Sequence, residues 1–303
     1  MTKKKEKSKS LFETHLPTWV LWTVIFVFVY AISVFVAYDV GKRAPQSKYA
    51  NIKAKGVERE KGKPITVPLF VSPDKVSHLP RFHFSFDDEE VLRPLRNREG
   101  LDKVVTGAKT DIEVFLRLME WVRSQWSPGR PDPYPPIDAT VILDKIRKGE
   151  TGGFCAQYCF VLVQSLQSLG YKARYVTIKG HEVTEVWSPE LSKWVMLDPL
   201  YELYVMKGTI PLSVIEIHNV ISMAGHGLKV HGKKRPEDLR GYLSRYGKFA
   251  VWCKNDHVSS PINFFDFERY KIYFLDDPNE RMYIPAESLY TFFPEDLYFN
   301  PLR

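Results

Sequence analysis

From Leu16 to Tyr38 the chain runs for 23 residues without Asp, Glu, Lys or Arg, around the unbroken apolar stretch Val24-Ile25-Phe26-Val27-Phe28-Val29. A helix of that length rises about 35 Å, which exceeds the roughly 30 Å hydrocarbon core of a bilayer. The run predicts one spanning helix over residues 16–38. Trp19, Trp22 and Tyr38 fall at its ends, where interfacial rings are favoured, and Pro17 falls in the first turn, where a missing N–H is harmless. A cleaved signal peptide is the competing reading, but its apolar region would be shorter, and no small-x-small cleavage site follows Tyr38. Orientation is less constrained. Lys3, Lys4, Lys5, Lys7 and Lys9 precede the run, while Lys42, Arg43, Lys48 and others follow it, so the positive-inside rule pulls both ways. A short basic tail (residues 1–15) before an uncleaved apolar run behaves as a signal anchor. That favours a domain outside the cytoplasm, with the cytoplasmic face as the alternative.

The net charge of +7 suggests a nucleic-acid partner until it is located. Residues 1–63 hold 13 of the 43 Lys/Arg and 5 of the 36 Asp/Glu, which leaves 30 against 31 for the remainder. A near-neutral domain argues against a nucleic-acid groove and assigns the basic charge to the membrane flanks. Residues 39–80 are charged, proline-bearing and aperiodic, as expected of a tether. A folded core is expected over residues 81–225, followed by an aromatic-rich extension, 226–303, packed on it and without assignable chemistry. Oligomeric state is not legible. Three cysteines, Cys155, Cys159 and Cys253, argue against a disulfide scaffold and leave at least one free thiol.

Ile112, Phe115, Met119, Val122 and Trp126 recur at helical steps before Pro128, and Asp138 is placed to cap a short helix containing Ile142, Leu143 and Ile146. In Gly152-Gly153-Phe154-Cys155, two glycines permit a tight turn before a helix with the apolar stripe Cys155, Cys159, Leu162, Val163, Leu166 and Leu169. Cys155 thus sits in a first turn, where orphan N–H groups and the helix dipole favour a thiolate and can receive an oxyanion. Cys159, one turn deeper, is expected in the core. Two alternatives remain: both cysteines as buried small hydrophobes, or a zinc site. The second lacks a further clustered ligand pair.

Tyr171–Ile178, His181–Trp187 and Ser192–Asp198 have the composition of three strands, the last stopped by Pro199. If Ser188-Pro189-Glu190-Leu191 is the loop between the second and third, Trp187 faces Ser192, Glu185 faces Trp194 and His181 faces Asp198. Such partners lie about 4.5–5.5 Å apart at their β carbons, suited to an imidazole–carboxylate hydrogen bond. A histidine so held can take a thiol proton and return it to a leaving amine. Glu182 and Glu185 are expected to be solvated strand charges, and the other seven histidines lack such partners.

Gly152-Gly153-Phe154-Cys155, Leu169-Gly170-Tyr171, His181-Glu-Val-Thr-Glu-Val186 and Trp194-Val-Met-Leu-Asp198-Pro199 follow the order of motifs in the transglutaminase-like superfamily, which about residues 105 to 205 resemble. The resemblance implies an α+β fold with a papain-like core, in which a nucleophile helix packs on an antiparallel sheet. It also implies a Cys155–His181–Asp198 triad, a thioester intermediate, a peptide or other amide substrate, and no metal or other cofactor. An inactive binding or scaffold domain of the same fold is the alternative. The family's oxyanion donor lies upstream of the nucleophile, which makes Trp126 and Gln125 candidates, Trp126 serving equally well as core. The histidine segment is also similar to peptide N-glycanases, but the paired Cys-x-x-Cys motifs of that branch are missing.

Overall fold

The computed structural model describes residues 81–302 apart from 224 and 235. The expected tail, spanning helix and tether lie outside these residues. Among the described residues no helix is long and apolar enough to cross a membrane.

Among the described residues four main helices precede the strands of the large sheet: α1 (Glu89–Glu99), α2 (Asp111–Ser124), α3 (Ala139–Arg147) and α4 (Cys155–Gln167). α2 buries Phe115, Leu118, Met119 and Val122, and Asp138 caps α3 by accepting from the Val141 N–H at 3.1 Å, both as the sequence indicates. α4 departs from the one-sided stripe. Every residue from Cys155 to Gln167 is buried, because α1, α2 and α3 surround it on the sides the sheet leaves open. Two of its glutamines are therefore bonded inside the protein. Gln164 accepts from the Ala139 N–H at 2.7 Å, and Gln167 donates to the carbonyls of Ala173 and Asn255.

The sheet combines β1 (Ala173–Ile178), β2 (His181–Ser188) and β3 (Lys193–Leu197) with three strands from beyond residue 225. After β4 (Leu203–Lys207), α5 (Val214–Ser222), β5 (Leu228–Gly232) and α6 (Leu239–Ser244) come β6 (Phe249–Trp252), β7 (Lys271–Phe274) and β8 (Leu289–Thr291). The strand order is β8-β7-β6-β1-β2-β3, antiparallel throughout except for the parallel β7–β8 pair. The aromatic-rich segment is thus half of the sheet rather than a cover on it. Alternation along the strands supplies two cores. Tyr175, Val186, Leu197 and Trp252 face α4, whereas Val176, Val183, Trp187 and Trp194 face α5 and α6.

Burial on both faces corrects the reading of Glu182 and Glu185 as solvated. Glu185 is fully buried and bonds Arg174 at 2.7 Å, while Arg174 also donates to the Leu297 carbonyl and lies over the Trp194 ring. Glu182 is only partly exposed.

The β2–β3 register is also corrected. Ser188 pairs with Lys193 and Trp187 with Trp194, so the four loop residues are Pro189–Ser192. The loop has the expected length but starts one residue later, which moves every pairing by two positions. A two-residue shift preserves the face of each side chain. Asp198 accordingly continues the register opposite Val183, and it meets His181 diagonally rather than directly.

Candidate active site

The loop before α4 is shaped by close approach. A β carbon on Gly152 would run into the Gly129–Arg130 backbone, and one on Gly153 would stand 3.0 Å from the Trp126 indole nitrogen. Neither glycine has the positive φ that a tight turn would use. The Gly129 N–H donates to the Gly153 carbonyl at 2.9 Å, and Trp126 Nε1–H donates to the same oxygen at 3.1 Å. Trp126 stacks on Tyr158 with centroids 4.1 Å apart, and the Tyr158 hydroxyl returns to the Trp126 carbonyl at 2.7 Å. This clamp holds the chain two residues before Cys155. The Phe154 N–H is taken by Gln157 Oε1 at 3.1 Å, which fixes the entry into the helix.

These bonds engage the side chains of the two oxyanion candidates. The only indole donor of Trp126 is spent on Gly153, and the Gln125 amide is turned towards Trp121 and Ser124, with its oxygen accepting from Arg147. Both act as structure in this conformation. N–H groups of the first helical turn, which have no intrahelical acceptor, remain beside Cys155.

His181 and Asp198 come together as expected, with Nε2 and Oδ2 2.6 Å apart and both residues buried. A carboxylate only accepts, so Nε2 carries the proton and Nδ1 is left for the thiol. The aspartate is held on every side. Oδ1 accepts from the N–H groups of Leu200 and Tyr201 at 3.1 and 3.3 Å, and Oδ2 also accepts from the Tyr242 hydroxyl at 2.7 Å. Tyr246 stands behind Tyr242, with the two hydroxyls 2.8 Å apart. The rings of Tyr201 and Tyr242 flank the imidazole at 5.7 and 6.2 Å. Tyr242 and Tyr246 come from the segment to which the sequence assigned no chemistry. Their four-residue spacing marks one helical face, but nothing in the linear sequence connects that face to Asp198.

Burial alone would depress His181, but the Asp198 carboxylate and then the Cys155 sulfur outweigh it and hold the imidazole up at about 10. The two cysteines of α4 differ sharply. Cys159 is completely buried, and burial, reinforced by Asp198, pushes its thiol well above the ordinary value. Cys155 instead lies on the wall of a cavity of about 280 Å³, together with His181, Glu182, Tyr134 and Phe154.

A second histidine–carboxylate pair corrects the expectation that His181 is alone in having one. His218 Nε2 lies 2.9 Å from Asp276 Oδ2, and Nδ1 lies 2.9 Å from the Tyr246 carbonyl. Both ring nitrogens are engaged, so this is a satisfied core histidine.

A cysteine at a helix start, followed in the chain by a hydrogen-bonded histidine and aspartate on neighbouring segments of an antiparallel sheet, has the layout of a cysteine-dependent acyl-transfer site. Residues 99–199 match the family described as the transglutaminase-like superfamily, a segment that contains all three residues. The mixed α/β structure with its antiparallel-rich sheets is consistent with a transglutaminase-like core, whose general chemistry is cysteine-based acyl transfer or hydrolysis. No curated protein matches the chain. Tyr242 and the strands β6 to β8 lie outside the matched third.

Proposed function

We propose that this protein is a cysteine-nucleophile hydrolase or acyltransferase acting on peptide or other amide bonds, held at a membrane by residues 16–38. The observation that carries the reading is the buried 2.6 Å contact between His181 and Asp198, with Cys155 and His181 on one cavity wall. In this reading His181 Nδ1 takes the proton of the Cys155 thiol, and the thiolate attacks the amide carbon. The C–N bond breaks as the imidazolium returns the proton to the leaving amine, and a thioester remains. Water or a second amine then attacks the thioester carbon and passes its proton to His181; the C–S bond breaks, the acid or new amide leaves, and the imidazolium returns the proton to the Cys155 sulfur. Asp198 keeps the imidazole in the Nε2–H tautomer and stabilises its charged form. First-turn N–H groups of α4 receive the oxyanion.

An amide-mimicking electrophile incubated with the full chain tests this. Peptide mapping is expected to find the adduct on Cys155, with Cys159 and Cys253 unmodified. A folded protein without an adduct on Cys155 would instead favour a binding domain. The anchor is tested separately. With the N-terminus in the cytoplasm, protease added to intact cells or spheroplasts digests the chain beyond residue 40; protection until lysis would place the domain on the cytoplasmic side.

A further inference from the structure

Glu182 is the one charged residue on the cavity wall that the chemistry above does not use. It follows His181 in β2, so alternation turns it to the opposite face of the sheet, beneath the start of α4. There it shares the cavity with Cys155 and with the aromatic rings of Tyr175, Trp252 and Phe267. Its Oε2 is shut off from solvent and has no hydrogen-bond partner among the described residues. Burial pushes the carboxyl up to about 7, against the opposing pull of Lys271 and then of the Thr177 hydroxyl, His181 and the Tyr175 hydroxyl.

Lys271 does not settle this charge. Its ammonium bonds Glu268 at 3.0 Å and lies 4.1 Å above the Phe267 ring. Burial raises Glu268, but the Tyr273 hydroxyl and Lys271 outweigh it and hold that carboxyl below its ordinary value. Two carboxylates therefore share one ammonium. The nearby positive charge of His181 is engaged by Asp198. Glu182, the carboxyl on the cavity wall, is thus the one left without a full counter-charge when it ionises, as pH rises through about 7.

A buried acceptor without a donor is unfavourable until one enters, and aromatic faces around it favour a cation over a neutral donor. We propose that this cavity is a recognition subsite for an ammonium or guanidinium group near the amide that Cys155 attacks, with Glu182 as its counter-charge. The inference rests on Cys155 being the nucleophile. The cation is supplied either by a basic side chain of the acyl donor or by the amine that leaves or accepts the acyl group.

Alkylation of Cys155 in the full chain tests the subsite without a known substrate. One probe pair is an aminoalkyl iodoacetamide and its N-acetylated neutral form, which place the charge on the amine side. The other is a lysyl chloromethyl ketone and its side-chain-acetylated form, which place it on the acyl side. In one pair the cationic member is expected to react about tenfold faster, as for a charge-assisted contact. Glu182→Gln should abolish that preference, read as the cationic-to-neutral rate ratio within each pair so that any change common to both probes cancels. The pair that shows the effect identifies which side carries the cation. Equal rates within both pairs, or a preference that survives in Glu182→Gln, overturns the proposal. Should Glu182→Gln fail to fold, the unaltered protein decides: the cationic-to-neutral rate ratio should fall as pH is lowered through about 7, where Glu182 takes up its proton, and a ratio that does not change across that range refutes the subsite. If no probe alkylates Cys155, the nucleophile reading has failed. The subsite is then judged by Trp fluorescence of Cys155→Ala titrated with n-butylammonium and n-butanol. Saturable change with the ammonium alone, lost in the Cys155→Ala/Glu182→Gln protein, supports it, and no saturable change overturns it.

Discussion

Cys155→Ala is expected to lower turnover by about 10⁴-fold or more, as loss of a nucleophile does in enzymes of triad type. Cys159→Ala should keep most of the activity. The contrast comes from two positions one helical turn apart. Cys155 lines the cavity beside His181, whereas Cys159 is completely buried and its thiol is driven towards the neutral form by burial. Removing the Cys159 sulfur leaves only a small cavity, at about 1 kcal/mol of stability. Rates of both variants on an amide substrate, with unfolding midpoints as a control for folding, check this. A dead Cys159 variant beside an active Cys155 variant would assign the nucleophile to the wrong turn.

Asp198→Asn is expected to reduce turnover by about 10²-fold or more while the domain stays folded. The amide keeps an oxygen for the Leu200 and Tyr201 N–H groups, so the local turn survives. The charge facing His181 is lost. Burial then prevails over the remaining influence of Cys155, and the imidazole falls from about 10 towards lower values. The limb of the pH–rate profile governed by His181 moves to lower pH accordingly. The same pair bears on stability, with a definite sign. A folded value near 10 against an ordinary 6.5 makes the contribution complete below about pH 6.5 and lost as pH rises through 10. The asparagine variant lacks that window. Tyr242→Phe, which removes only the second donor to Oδ2, should lower turnover by a smaller factor, about fivefold for one hydrogen bond. If the folded Asp198→Asn protein turns over normally, with an unchanged pH profile, the contact is structural only.

The sequence located Cys155 because a helix start is a local property: glycines, then an aromatic, then a long apolar run, all within a few residues. It also brought His181 and Asp198 to one side of the sheet, although the loop was placed one residue early. Parity survives an even error in register, which is why the diagonal pair still meets. Glu182 and Glu185 were misread for the opposite reason. A strand does not record how many layers cover it, and charges that look solvated on an open sheet are enclosed, Glu185 fully and Glu182 in part, when β2 lies between α4 and α5.

What lay beyond the sequence depends on contacts across long separations. Tyr242 is 44 residues from Asp198, and Arg174 is 123 residues from the Leu297 carbonyl it caps. No pattern of spacing encodes such pairings, because they exist only once β6 has entered the sheet beside β1 and carried the C-terminal segment across it. Trp126 shows the same limit at shorter range. Its position upstream of the nucleophile was legible, but only packing turns its N–H onto the Gly153 carbonyl in this conformation. Local chemistry and periodicity thus determined which residue types were available and on which face they stood. Tertiary structure decided which of their hydrogen-bonding groups remained free to act, since a donor spent on a buried carbonyl cannot also serve a substrate.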